Sequence, residues 1–208
     1  MVKKSNSVCK QCRREGTKLY LKGQRCDTAK CAIQTRNYQP GQHPWTRGRP
    51  SEYRIRLREK QKAKRYYGIR DEQFRLYYKK AARIRGNTGE LLLVFLERRL
   101  DNVVFALGLT QSRREARQMI AHGHFLLNGK KCDIPSVLVK VGDRIRPCGK
   151  NNSQKIVKAA LEFNKNKSVP PWLERDESQS GGMVKDMPKR EHVQFEIEEQ
   201  LIVELMSR

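Results

Sequence analysis

RRLDNVVFALGLTQSRREARQMIAHGHFLLNGKKCDIPSVLVKVGDRIR, residues 98–146, is the stretch whose reading decides the fold. Ser112-Arg113-Arg114-Glu115 is an S-x-x-E capping box, which predicts a helix over 113–121. A period of 3.6 puts Ala116, Met119 and Ile120 on one apolar stripe and Arg113, Arg114 and Arg117 on an adjoining basic arc. The helix runs out near Gly123. Residues 124–127 then alternate, and Asn128-Gly129 follows, the strongest short-range hairpin signal because both turn positions need φ > 0. Pro135-Ser136 and Gly142-Asp143 punctuate two further expected strands, 137–141 and 144–148. A basic helix joined to a tight hairpin is a surface for a polyanion. Nothing in the stretch supplies a nucleophile, a carboxylate pair or a phosphate-cradling glycine loop.

Working outward, the charge is lopsided. The chain of 208 residues has a formal net charge of +23, with 37% hydrophobic and 32% charged residues. Residues 1–85 hold 25 Lys and Arg against 6 Asp and Glu, whereas 151–208 hold 9 against 10. Self-repulsion of this size opposes compaction unless a polyanion neutralises it. Nucleic acid is the expected partner, ahead of an anionic membrane. No run of 18 apolar residues predicts a membrane span, and the first residues lack the apolar core of a secretory signal.

Before the central stretch comes Cys9-x2-Cys12-x13-Cys26-x4-Cys31. Two close thiol pairs suit a closed, tetrahedral, structural zinc site. An iron–sulfur cluster, two disulfides and four free thiols are the alternatives, and the disulfides conflict with a reducing compartment. Residues 37–50, rich in Pro and Gly, read as an irregular strap carrying Arg47 and Arg49. Ser51 caps a predicted helix over 52–67 that is basic all round, with Arg54, Arg58, Lys62 and Arg65 expected against phosphate. Asp71 is read as the cap of the next helix. Its stripe of Phe74, Tyr77, Tyr78 and Ala81 reads as core rather than as base-stacking platforms. Gly86-Asn87-Thr88-Gly89 is read as a domain boundary.

After the central stretch, Ser153 is read as capping a helix over 154–164, with Ile156, Val157, Ala160 and Leu161 buried. Residues 174–191 mix Gly181-Gly182 with Ser, Pro and both charges and read as an exposed connector, extended to 195. The last helix, 196–206, presents Ile197, Leu201, Ile202 and Leu205 and is expected to dock on the first helical region. Cys132 and Cys148 read as ordinary half-buried thiols. His122 and His124 flank the helix-to-hairpin corner, with no partner that suggests catalysis.

Arg99-Leu100-Asp101, Gly108-Leu109, Ser112-Arg113, Ala116-Arg117, Gly123-His124, Asn128-Gly129-Lys130, Pro135-Ser136 and Gly142-Asp143 resemble the S-four RNA-binding domain. Cys9, Cys12, Cys26 and Cys31, Pro40-Gly41-Gln42-His43, the run 57–62 and the closing run 201–205 extend the resemblance. Over nearly the whole chain it is similar to the small-subunit ribosomal protein four family of bacterial type, in its zinc-keeping branch. Pro44-Trp45 departs from the usual glycine and basic residues and puts the strap conformation in doubt.

The resemblance implies an α+β fold: a zinc-bound, helical N-terminal region, then helices packed on a small, mainly antiparallel sheet. The expected divisions are a zinc knob and strap over 1–45, a basic helical region over 46–87 joined by 196–206, and the RNA-binding domain over 88–173. It further implies binding to the 5′ domain of 16S rRNA early in assembly, contact with small-subunit protein five, proximity to messenger RNA and an influence on decoding accuracy. No membrane or small-molecule substrate is implied. RNA binding is expected by shape and phosphate contact, through Arg47, Arg49, Arg54, Arg58, Lys62 and Arg65 in the first region. In the central domain the expected contacts are Arg113, Arg114, Arg117, His122, His124, Asn128 and Lys130. The alternatives from other classes are an RNA-modifying enzyme, for which no residues remain to build a catalytic domain, and a free regulatory or antitermination factor.

Overall fold

The structure is a computed structural model that describes residues 7–42, 49–165, 167–176 and 180–207. It divides into two compact units, 1–74 with 197–208, and 75–196. The division falls inside a helix, not at the glycine break 86–89 that the sequence suggests. Among the described residues no helix is long and apolar enough to cross a membrane.

The first unit contains α1 (Val8–Glu15), a 3-10 turn at Gly23–Cys26, the single turn α2 (Ala32–Thr35), α3 (Glu52–Tyr66) and the start of α4 (Asp71–Ala82). The C-terminal helix, α9 (Glu199–Met206), packs along α3. Ser51 caps α3 as expected, its hydroxyl accepting from the Arg54 N–H at 3.3 Å. Asp71 is not a cap. It is the first residue of α4, and its carboxylate meets Lys60 at 3.0 Å and Lys64 at 3.5 Å. Leu19, Ala63, Tyr67, Phe74, Ile197 and Ile202 form the apolar interior. α3 is therefore not a helix bathed on all sides. Lys60 is buried, and Arg56 lies between Glu52 at 3.0 Å and Glu204 of α9 at 2.6 Å.

The second unit takes the remainder of α4, then α5 (Thr88–Glu97), α6 (Leu100–Ala106) and α7 (Arg113–Ala121). β1 (Phe125–Leu127), β2 (Lys130–Lys131) and β3 (Arg144–Pro147) precede α8 (Asn151–Phe163), and β4 (Leu173–Asp176) and β5 (Gly181–Val184) follow it. The sheet is antiparallel throughout, in the order β2-β1-β3-β5-β4. Its core gathers Leu100, Val104, Leu107, Ile120, Phe125, Ile145, Val157, Trp172 and Val184. The aromatic stripe of α4 is core, with Phe74 and Tyr77 buried and Tyr78 half-buried. The helices and small antiparallel sheet of the α+β expectation are present.

Three further sequence expectations differ. Residues 137–141 form no strand. Their backbone pairs instead with the segment leading into α6: Val139 N–H donates to Arg98 O at 2.9 Å, and Leu100 N–H to Val137 O at 2.9 Å. Residues 174–195 are not a connector, because they contain most of β4 and the whole of β5. A Cβ on Gly182 would lie 2.5 Å from Leu107 Cδ2, and one on Gly181 2.5 Å from Ile145 O, so β5 fits between its neighbours only without side chains. Finally, α8 begins before Ser153, whose buried hydroxyl faces His124, and Ile156 is 40% exposed instead of core.

Candidate nucleic-acid interface and thiol cluster

α7 forms as its capping box dictates. Ser112 Oγ accepts from Glu115 N–H at 3.3 Å, and the Glu115 carboxylate reaches back to Gln111 N–H at 2.7 Å. The positive end of this helix is thus occupied by its own carboxylate and is not an open phosphate seat. Ala116, Met119 and Ile120 are buried, which fixes the arginine arc toward the surface. Arg114 is exposed, and Arg113 and Arg117 are half-buried. Arg113 Nε donates to Asn102 Oδ1 at 2.7 Å, with its guanidinium 4.5 Å from the Phe105 ring centroid. Arg117 donates twice to Asp101 Oδ2, from Nη2 at 2.6 Å and from Nε at 3.1 Å.

At the corner after α7, His122 is exposed and its ring lies 6.2 Å from that of His124. His124 shares a 2.8 Å hydrogen bond with the Ser153 hydroxyl. Asn128 and Gly129 take φ of 52° and 78°, the mirror-image turn their sequence requires. The Asn128 amide does structural work: it donates to Asp143 Oδ1 at 2.8 Å and accepts from Arg144 N–H at 2.9 Å. Lys130 stands exposed on the two-residue strand β2. Sequence reading passed over Lys131. It is exposed and lies across Gly123, where a Cβ would sit 2.0 Å from its Cε. Strand alternation was the available signal, since Lys130 and Lys131 must point to opposite faces.

In the first unit, Arg58 and Arg65 of α3 converge on one oxygen of Glu15, the last residue of α1. The Glu15 side chain is 1% exposed. Burial pushes its carboxyl above the usual range, against the opposing pull of Arg65 and Arg58. Burial also lowers the Arg58 guanidinium, with Glu15 opposing. Lys62 pairs with Glu59 at 3.2 Å, and Arg54 is half-buried. Arg49 is exposed, and Arg47 lies outside the described residues.

Cys9, Cys12, Cys26 and Cys31 are all free and line one small cavity with Val8, Leu21 and Ile33. Cys26 Sγ accepts from the Lys22 N–H at 3.4 Å. Burial pushes the Cys12 and Cys26 thiols up, and the neighbouring cysteines add to the shift. The four thiols share a cavity, but the ligand set expected from their spacing is not formed. Among the described residues no group of three or more His, Cys, Asp or Glu side chains is gathered closely enough to hold a metal ion.

Helices on a small antiparallel sheet, with a basic helix delivered into a tight hairpin, define an RNA-binding protein of the S4-domain class. The S4 domain model matches residues 98–145, and the ribosomal protein S4/S9 N-terminal domain model matches residues 3–97. The chain is 52% identical over 208 residues, the whole of both proteins, to small ribosomal subunit protein uS4 of Acetivibrio thermocellus. It is 50% identical over the same full length to that of Geotalea daltonii, and 52% identical over 98% of both chains to protein uS4A of Bdellovibrio bacteriovorus. The chain belongs to the small ribosomal subunit protein uS4 family.

Proposed function

We propose that this chain is a structural constituent of the small ribosomal subunit that binds 16S rRNA by its phosphates. Its role is structural and not enzymatic, as the names of its full-length relatives indicate. The observation that carries the RNA reading is the way the surface arginines are held. Arg58 and Arg65 are gathered by the buried Glu15, and Arg117 by the buried Asp101, so each cationic surface stands on a buried carboxylate. Arg114, His122 and Lys130 complete the second surface, and Arg49, Arg54 and Lys62 the first. Such preformed basic surfaces suit the splayed backbone of an RNA junction, which is read by shape rather than by a base code. On this reading the chain nucleates the 5′ domain, contacts protein five near the messenger path and contributes to accurate decoding. Titration of a 16S 5′-domain transcript against salt tests it. Neutralising roughly six to ten phosphates predicts a loss of about 10³ to 10⁵ in affinity between about 50 and 200 mM salt. A flat salt profile contradicts a phosphate-dominated interface.

The spacing and shared cavity of the four cysteines support a structural zinc, although among the described residues the side chains are not gathered closely enough to hold one. Four thiols share one cavity, no disulfide links them, and the Cys26 sulfur accepts a backbone N–H bond of the kind that orients a thiolate ligand. Cys9, Cys12, Cys26 and Cys31 would hold it, and a bound zinc would supply folding energy rather than chemistry. A four-thiolate iron–sulfur cluster is the alternative occupant. Metal analysis with a visible absorption spectrum separates the two, since zinc thiolates are colourless.

A further inference from the structure

Asp101 and Asn102 are neighbours on α6, and each grips one arginine of α7 from the buried side. Asp101 sits between two guanidiniums. From the interior Arg99 donates through Nε to Oδ1 at 3.0 Å and through Nη2 to Oδ2 at 2.7 Å, while its Nη1 reaches the Tyr77 hydroxyl at 2.9 Å. From the surface Arg117 closes on the same Oδ2. One carboxylate facing two guanidiniums leaves a single net positive charge. Its exposed end is Arg117, whose side chain is 37% accessible against 3% for Arg99.

Asn102 works beside it as a relay. Its Nδ2 donates to the buried Glu97 carboxylate at 2.7 Å and to the Glu97 carbonyl at 3.1 Å, which fixes the amide orientation. Its Oδ1 then accepts from Arg113 Nε at 2.7 Å. The start of α6 is itself pinned, with Leu100 N–H on Val137 O and Asp101 N–H on Pro135 O. Arg113 and Arg117 are one helical turn apart, and both are held through a backbone that cannot shift independently.

We propose that Asp101 and Asn102 are positioning residues for the RNA face of α7, holding Arg117 and Arg113 pre-aimed at the rRNA backbone. The proposal rests on the reading of that face as phosphate-binding. Its physical content is preorganisation. The rotamer freedom of two long side chains is lost on folding and not again on binding, and a planar fork offered at a set angle suits a phosphate oxygen pair.

The test uses the full chain and a 16S 5′-domain transcript. Arg113→Lys and Arg117→Lys keep the charge at surface positions but cannot hold the side-on geometry. Each should weaken binding by about tenfold with little change in the salt slope, because the charge that releases counterions is kept while the paired donor geometry is lost. Asn102→Ala should weaken binding by about tenfold as well. Combined with Arg113→Ala it should be no weaker than Arg113→Ala alone, because both remove one device. Melting curves of every variant confine the comparison to folded protein. Wild-type affinity in both lysine variants, or strictly additive losses in the Asn102–Arg113 cycle, overturns the positioning role while leaving the RNA face intact. Normal binding by the Arg113→Ala, Arg117→Ala double variant removes the face itself, and the proposal with it.

Discussion

Arg117 closes on Asp101 with two hydrogen bonds to one oxygen, at 2.6 and 3.1 Å, although the two residues lie 16 apart in the chain. The helical pattern places Arg117 off the apolar stripe, which by itself predicts that its removal leaves folding unchanged. The ion pair changes that expectation. Asp101 is buried and keeps Arg99 as a partner, so Arg117→Ala should cost about 1–2 kcal/mol of stability, the range of one charge-assisted hydrogen bond after discounting for partial exposure. Chemical denaturation followed by α-helical circular dichroism measures it. A midpoint identical to the parent protein argues that the pair is energetically idle. Asp101→Ala should be worse, about 3–5 kcal/mol, because it strands the buried Arg99.

Ile120 is fully buried in the core cluster of the second unit. Ile120→Ala should cost about 2–5 kcal/mol through lost burial and a residual cavity, while rRNA affinity at a temperature where the variant is folded stays unchanged. A thermal melt and a filter-binding titration on the same preparation check both halves of that statement.

Gly182 is held against Leu107 and the Glu174 carbonyl, with a would-be Cβ at 2.5 and 2.8 Å. Gly182→Ala should therefore destabilise by about 1–3 kcal/mol, as overpacking does, and loosen the pairing of β5 with β3 and β4. Amide exchange at Val184 and Lys185, whose N–H groups bond to Asp143 O and Trp172 O, should accelerate. Exchange rates equal to the parent's there would place the strain elsewhere.

Burial raises the Glu15 carboxyl, so between the ordinary glutamate range and that raised value the folded protein binds the proton more tightly than the unfolded chain. The contribution is fully present at low pH and is lost as pH rises through the folded value. Glu15→Gln removes the titration. Plotted from about pH 4 to 8, the melting temperature of the parent should fall relative to that of the Gln variant as pH rises. A parallel pair of curves would show that Arg58 and Arg65 fully compensate the burial.

Replacing Cys26 and Cys31 by serine should abolish stoichiometric zinc and open residues 7–42 to protease while sparing the second unit. Zinc in small folded peptides contributes an apparent ~10–16 kcal/mol at neutral pH, and the apolar residues buried beside these cysteines are few: Val8, Leu19 and Leu21. Zinc retained by the double serine variant would contradict the four-cysteine assignment.

What the sequence by itself determined is local. The capping box at Ser112, the stripe Ala116–Met119–Ile120, the Asn128-Gly129 turn and the aromatic face of α4 each depend on residues within about four positions of one another. Spacing alone fixes which side chains share a face, and the lopsided charge identifies a polyanion as partner. Tertiary structure decided where the cations point. The guanidiniums of Arg58 and Arg65 meet a carboxylate 43 and 50 residues away, and Arg117 meets one 16 away, so helical periodicity cannot register them. The same holds for β5. Gly181-Gly182 carries the composition of a flexible linker, yet absence of side chains is what lets a strand lie between β3 and β4 over Leu107. Conversely, 137–141 has the composition of a strand and is not one, because its hydrogen bonds are taken by the segment that opens α6. Propensity sets what a segment is able to form. The backbone partner it meets, which only packing supplies, sets what it does form.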